Sequence, residues 1–146
     1  MRWIFAFLIV SLGMGKNVCI KEIQNGFGDA FLSIELSRAL ERGILESGLG
    51  IACPGREISL KVEEFKLLPM GISPSQRANF YELRLVFRLK SQELEREVRI
   101  RKSFFQESGS VADLPMREAI LDAIKLGMFD IIQFTRRVKD ADKANE

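Results

Sequence analysis

The segment from Arg77 to Phe105 (RANFYELRLVFRLKSQELEREVRIRKSFF) constrains the fold more than any other part of the chain. Two runs within it, Phe80–Lys90 and Leu94–Phe104, alternate between apolar and charged residues. The apolar positions of the first run are Leu83, Leu85, Phe87 and Leu89. A period of two is typical of β-strands that are buried on one side. The segment therefore predicts an antiparallel hairpin with one face on a core and one charged face open.

The flanking segments predict two helices and two further strands. Before the hairpin we expect a strand at Val18–Ile23, a helix at about Ser33–Glu46 with Ser33 as its N-cap, and a strand at Glu57–Leu68. The apolar phase of the last strand shifts near Glu63-Glu64, which indicates a β-bulge. We expect a loop from Pro69 to Arg77.

A long helix is expected after the hairpin, from Asp113 or Leu114 to about Val138, with Pro115 in its first turn. The predicted fold class is α+β, with two helices packed on one face of a four-stranded mixed sheet in the order β-α-β-β-β-α. The domain spans residues 16–138, and residues 139–146 form a charged tail. The long helix is apolar over more of its surface than one core needs. Other parts of the domain could cover the additional apolar surface, or a partner protein could bind to it.

The N-terminus has the pattern of a secretory signal peptide over residues 1–15. Arg2 precedes an apolar run from Trp3 to Leu12, and small residues at Gly13 and Gly15 fit a cleavage site. Cys19 follows Lys-Asn-Val rather than the small residues that usually precede a lipidated cysteine. After export, Cys19 and Cys53 could form a disulfide or remain two buried thiols, and the sequence leaves both open.

The composition removes most catalytic chemistry. Histidine is absent, which excludes histidine bases, histidine metal ligands and triads that need them. Two cysteines are too few for a cysteine-only zinc site, so neither a metal nor another cofactor is expected. The net charge of +2 gives no global signature of a nucleic-acid partner. Glu63 and Glu64, as adjacent strand residues, should point to opposite faces and form no acid–base pair.

The glycines at positions 26 and 28 do not complete a dinucleotide-binding turn, because Phe31 occupies the third glycine position. We therefore expect no enzymatic activity, with a small secreted hydrolase that uses Ser, Asp or Glu as the opposing hypothesis.

Four arginines should share the charged face of the hairpin: Arg84, Arg88, Arg99 and Arg101. One interpretation is a solvated face on which these arginines pair with neighbouring glutamates. The other is recognition of an anionic ligand, for which planar guanidinium groups are well suited.

The order of these elements resembles that of the lipopolysaccharide-assembly lipoproteins of the Gram-negative outer membrane, the LptE-like family. The segments that carry the resemblance are NVCIKEIQN, LSIELSRALERGILESG, RANFYELRLVFRL, RKSFFQES and REAILDAIKLGMFDII. Tyr81-Glu82-Leu83 and Ser103-Phe104-Phe105 are its most telling parts. Members of the family carry a lipidated cysteine before the first strand, whereas Cys19 falls within the strand, so the resemblance does not supply a lipid anchor here.

The resemblance implies a non-enzymatic protein on the periplasmic side of the outer membrane. Such a protein plugs and helps to assemble a large LptD-like β-barrel and binds lipopolysaccharide. By strand position and charge, the implied lipopolysaccharide-binding residues are Arg84, Arg88, Arg99, Arg101 and Lys102. The alternative function is that of a periplasmic accessory subunit of an inner-membrane lipid ABC transporter.

Overall fold

A computed structural model describes residues 17–72, 78–105 and 113–144. The signal peptide predicted for residues 1–15 lies outside these residues. The strands are β1 (Asn17–Asn25), β2 (Gly50–Ile51), β3 (Arg56–Ile72), β4 (Ala78–Ser91) and β5 (Leu94–Phe105). The helices are α1 (Ala30–Glu46), between β1 and β2, and α2 (Asp113–Ala144), after β5.

The strands form one mixed sheet in the spatial order β2-β1-β3-β4-β5. β1 runs parallel to both β2 and β3, whereas β3–β4 and β4–β5 are antiparallel. The α+β class, the two helices and the antiparallel pairing of the two hairpin strands are confirmed. The prediction of four strands is wrong, because Gly50–Ile51 adds a fifth strand at the edge beside β1. A strand of two residues is too short to show a period in the sequence.

One face of the sheet and both helices enclose a single apolar core. The alternation in β4 determines which face is inward, because Leu83, Leu85, Phe87 and Leu89 are all fully buried. Val98 and Ile100 of β5 lie directly opposite Phe87 and Leu85 and join the same core. The other face of the sheet, hereafter the open face, carries the alternate residues of β3, β4 and β5.

Helix α1 begins earlier than predicted, because Asp29 rather than Ser33 is its N-cap. The Asp29 carboxylate accepts a hydrogen bond from the Leu32 N–H at 2.9 Å. This places Leu32 and Leu36 in the core, one turn apart on the inward side of the helix.

The two helices meet closely at Gly43. A Cβ atom at this position would lie 2.7 Å from Cγ2 of Ile131, so only glycine permits this separation of the helices. The Gly43 carbonyl accepts hydrogen bonds from the hydroxyls of Ser47 and Thr135, at 2.8 and 3.0 Å. These three residues therefore join the end of α1 to α2 through buried polar contacts.

Helix α2 extends past its predicted end at Val138, so the segment expected to be a charged tail is helical as far as Ala144. Lys139 explains part of this extension, because its ammonium donates a hydrogen bond to the carbonyl of Ser47 at 3.0 Å. This ammonium lies at the C-terminus of α1, where the helix dipole also favours a positive charge.

A disulfide joins Cys19 of β1 to Cys53, with 5.0 Å between the two Cα atoms. Cys53 follows β2, and the bond therefore ties the connection between β2 and β3 to the parallel strand beside it. The backbone supports the same contact, since the Ala52 N–H donates to the carbonyl of Val18 at 3.1 Å.

Candidate functional site

The open face carries the four arginines that the alternation assigned to it. The β4–β5 register places Arg84 directly opposite Arg101, and Arg88 and Arg99 occupy other positions of the same face. Lys102 does not belong to this group. It lies opposite the buried Leu83 and therefore on the helix side of the sheet. The alternation of side chains along β5 separates Lys102 from Arg101.

Arg88 is surrounded by carboxylates. Its guanidinium lies 2.5 Å from Glu63, 2.9 Å from Glu95 and 3.6 Å from Glu97. The hydrogen bonds that Arg88 donates to Glu63 and Glu95 raise the pKa of Arg88 above its ordinary value. The hydrogen bond from Arg88, acting against desolvation, lowers the pKa of Glu63. The three carboxylates balance the positive charge of Arg88, which leaves Arg88 poorly suited to bind an external anion.

The bulge in β3 explains how Glu63 reaches Arg88. The register with β4 shifts between Val62 and Glu64, as the change of apolar phase predicted. Glu63 contacts Arg88 on the open face, and Glu64 lies opposite Val86 on the same face. The expectation that Glu63 and Glu64 point to opposite faces is therefore wrong, because the bulge interrupts the strict alternation.

Two further arginines of the open face pair along their own strands. The Arg84 guanidinium lies 2.6 Å from the Glu82 carboxylate, and that of Arg99 lies 3.1 Å from Glu97. Such pairs of partly exposed groups contribute little to stability, roughly 0.2–1 kcal/mol. They also leave further guanidinium N–H groups on each arginine for another acceptor.

A row of three cations crosses the open face from strand to strand. Lys66 of β3 lies opposite Arg84, and Arg84 lies opposite Arg101. We call these three residues the cationic row. Arg101 is exposed and makes no ion pair with another residue of the described part of the chain. Glu64 and Glu82 offset part of the charge of Lys66 and Arg84. An anion bound at this row would offset the charge of Arg101, which faces the like charge of Arg84.

An exposed aromatic pair lies at the end of the same face. Phe80 and Phe105 are directly opposite each other, with ring centroids 5.3 Å apart. Their exposed fractions are 52% and 54%, which is high for phenylalanine. Phe80 precedes Arg84 by four residues, which corresponds to roughly 14 Å along a strand. The open face therefore combines cations with exposed apolar surface at one end of the β4–β5 hairpin.

The sequence pattern did not identify Lys66, Phe80 or Phe105 as site residues. Lys66 lies beyond the bulge, which obscures its alignment with Arg84 until the register is known. Phe80 carried a usable signal, because it is in phase with Glu82 and Arg84 on the polar side of β4. An aromatic residue at a polar-phase position indicates exposed apolar surface.

The described residues form neither a metal-binding cluster nor a helix that could span a membrane. No three His, Cys, Asp or Glu side chains lie together in an arrangement that could hold a metal ion. Neither α1 nor the described part of α2 has a stretch long and apolar enough to cross a bilayer.

Comparison with known proteins gives one sequence relative and several similar structures. No protein-family model matches the chain. A protein of Aquifex aeolicus (strain VF5), described as uncharacterized, is 28% identical over 135 residues. The alignment covers 90% of this chain and 94% of the relative.

Three of the similar solved structures are lipoproteins from bacteria. Rare lipoprotein B from Shewanella oneidensis is 14% identical, with a TM-score of 0.47 and coverage of 88% of this chain and 95% of that chain. An uncharacterized lipoprotein B from Nitrosomonas europaea is 19% identical, with a TM-score of 0.46 and coverage of 84% and 81%. A minor lipoprotein from Acinetobacter baumannii is 12% identical, with a TM-score of 0.39 and coverage of 89% and 92%.

Proposed function

We propose that this protein is a non-enzymatic component of lipopolysaccharide assembly at the outer membrane and that it binds lipopolysaccharide on its open face. The observation that carries the proposal is the cationic row of Lys66, Arg84 and Arg101, which shares that face with exposed Phe80 and Phe105. Lipopolysaccharide has anionic phosphates next to acyl chains, so it requires both kinds of surface close together.

The chemistry of the row suits phosphate groups. Arginine guanidinium groups bind phosphate through two parallel N–H···O hydrogen bonds, and lysine adds a point charge. Arg84 keeps N–H groups beyond its bond to Glu82, and Arg101 is exposed. The Phe80–Phe105 pair would contact the acyl region, roughly 14 Å from Arg84 along the strand. Arg88 has a secondary role in this proposal, because three carboxylates surround it. Arg99 also has a secondary role, because it lies opposite Val86 rather than in the cationic row.

The location and the partner in this proposal rest on other features. A disulfide between Cys19 and Cys53 is characteristic of an oxidising compartment, which supports export to the periplasm. The resemblance to the LptE-like family supports an LptD-like β-barrel as the partner. We include this barrel in the proposed function, together with the periplasmic side of the outer membrane as the location.

Lipopolysaccharide binding can be tested by removing charge from the cationic row. We expect the double variant Lys66→Gln/Arg84→Gln to bind purified lipopolysaccharide about tenfold more weakly, which corresponds to about 1.4 kcal/mol. The matched control is Lys61→Gln/Lys90→Gln, which removes two cations from the opposite end of the open face. Affinity should be measured by titration at two salt concentrations, because screening weakens contacts between exposed charges.

Equal affinities for the double variant, the control and the native protein would contradict a binding role for the cationic row. The barrel partner needs a separate test, by purification of the protein from membranes after mild detergent extraction. Recovery of a large outer-membrane β-barrel is the expected result. Recovery of inner-membrane transporter subunits instead would overturn this part of the proposal.

A further inference from the structure

Strand β5 forms an edge of the sheet, because β4 is its only strand neighbour among residues 17–72, 78–105 and 113–144. Twelve residues, Leu94–Phe105, make up this edge. A long edge strand can pair with another chain through its unpaired backbone groups. Charged residues on an edge usually discourage such pairing, so the order of their signs decides whether a partner fits.

The charges of β5 on the open face are self-complementary. Glu95 and Glu97 are followed by Arg99 and Arg101, each two residues from the last. We propose that β5 pairs antiparallel with β5 of a second copy of this chain, around a twofold axis at Val98. This register places Glu97 opposite Arg99 of the second copy and Glu95 opposite Arg101. Both contacts occur twice because of the symmetry.

The charge pattern selects this register over its neighbours. An axis at Glu97 would place the two Glu97 side chains opposite each other, and an axis at Arg99 would oppose the two Arg99 side chains. Like charges directly opposite each other destabilise a strand pair. The axis at Val98 also provides a counter-ion for Arg101, which otherwise faces Arg84.

The backbone of β5 fits the same register. Ser91 and Leu94 flank a two-residue turn and are expected to share a hydrogen bond across it. Hydrogen-bonded and non-hydrogen-bonded pairs alternate along an antiparallel ladder. The residues in phase with Glu95, among them Glu97 and Arg99, therefore direct their N–H and C=O groups away from β4. These groups are the ones that the proposed pairing joins.

Helix α2 presents an exposed apolar side chain near the β5 edge, on the helix-covered side of the sheet. Gly127 packs on β5, where a Cβ atom would lie 2.7 Å from Cδ1 of Ile100. Met128 lies in the groove toward α1, so Leu126, on the other side of Gly127, faces the free edge of β5. Leu126 is 58% exposed. The twofold axis would bring the two Leu126 side chains toward each other above the paired strands.

This inference does not depend on the proposed function. Lys66 and Arg84, which the lipopolysaccharide test changes, lie on β3 and β4 rather than at the β5 edge. In the proposed function a barrel surrounds one copy, so the homodimer is the form expected before the barrel is bound.

A charge-exchange experiment tests the pairing. Glu97→Arg and Arg99→Glu should each weaken self-association about hundredfold, because two attractive pairs become repulsive in each dimer. When the two variants are mixed, every pair is complementary again, so a heterodimer should form. The chain should be expressed from Met1, purified as the host processes it, and measured by sedimentation equilibrium.

Two further variants separate loss of pairing from loss of folding. The exchange Glu97→Arg/Arg99→Glu within one chain restores self-complementarity and should restore the dimer. Glu22→Arg on β1 makes the same change of charge away from the β5 edge and should leave the dimer intact. A monomeric native protein would overturn the proposal. Single variants that associate as strongly as the native protein, or a double exchange that does not dimerise, would also overturn it.

Discussion

At the scale of single residues, the structure assigns different roles to arginines that look alike in the sequence. Arg88 is held by Glu63, Glu95 and Glu97, whereas Arg101 makes no ion pair with another described residue. Sequence alternation correctly placed both on the open face. It could not distinguish them, because the partner of each depends on the strand register and on the bulge at Glu63.

The Glu63–Arg88 contact has a consequence for stability against pH. The pKa of Glu63 is lowered below 4.5 in the folded protein, chiefly by its hydrogen bond to Arg88. The stability from this contact is therefore complete above pH 4.5 and is lost as the pH falls through the lowered pKa. We expect native protein and Glu63→Gln to differ in urea midpoint at pH 7, with the difference shrinking below pH 4.5.

The matched control for this measurement is Glu57→Gln, because Glu57 forms a longer and more exposed ion pair, 3.9 Å from Lys21. That variant should show little difference from native protein at either pH. A difference for Glu63→Gln that is constant from pH 7 to acid would show that Glu63 acts through packing rather than through its charge.

At the scale of elements, the sequence predicted the helices and strands that are long enough to show a regular apolar period. The β4–β5 hairpin, α1 and the start of α2 follow from residues that repeat with a strand or a helix period. β2 and the end of α2 were missed for different reasons. β2 has only two residues, and the last turns of α2 depend on the long-range hydrogen bond from Lys139 to Ser47. A contact between residues so distant in the chain leaves no local pattern.

The close approach of α1 and α2 predicts a strong effect at Gly43. Gly43→Leu should lower the free energy of unfolding by about 3 kcal/mol, because its side chain would meet the β-branched Ile131, which has little rotamer freedom. Arg42→Leu, at the adjacent exposed position, should change it by less than about 0.5 kcal/mol. Urea denaturation of both variants measures this contrast. Equal stabilities would mean that the helices can separate at little cost.

At the scale of the whole molecule, the sheet separates a side that is covered by both helices from the open face. The helices cover one face completely enough that Leu83, Leu85 and Phe87 are excluded from solvent. The open face has mixed charges, because glutamates of β3, β4 and β5 lie among its arginines and lysines. Its binding potential is therefore concentrated at the cationic row and the Phe80–Phe105 pair.

The proposed function requires that lipopolysaccharide contacts the open face near Phe80. Site-specific photo-crosslinking in living cells tests it most directly, with a photoreactive phenylalanine analogue in place of Phe80. The same analogue at Ile34, which is 51% exposed on α1, serves as the control. We predict a light-dependent adduct that contains lipopolysaccharide at position 80 and none at position 34. The absence of an adduct at position 80, or equal adducts at both positions, would contradict the account.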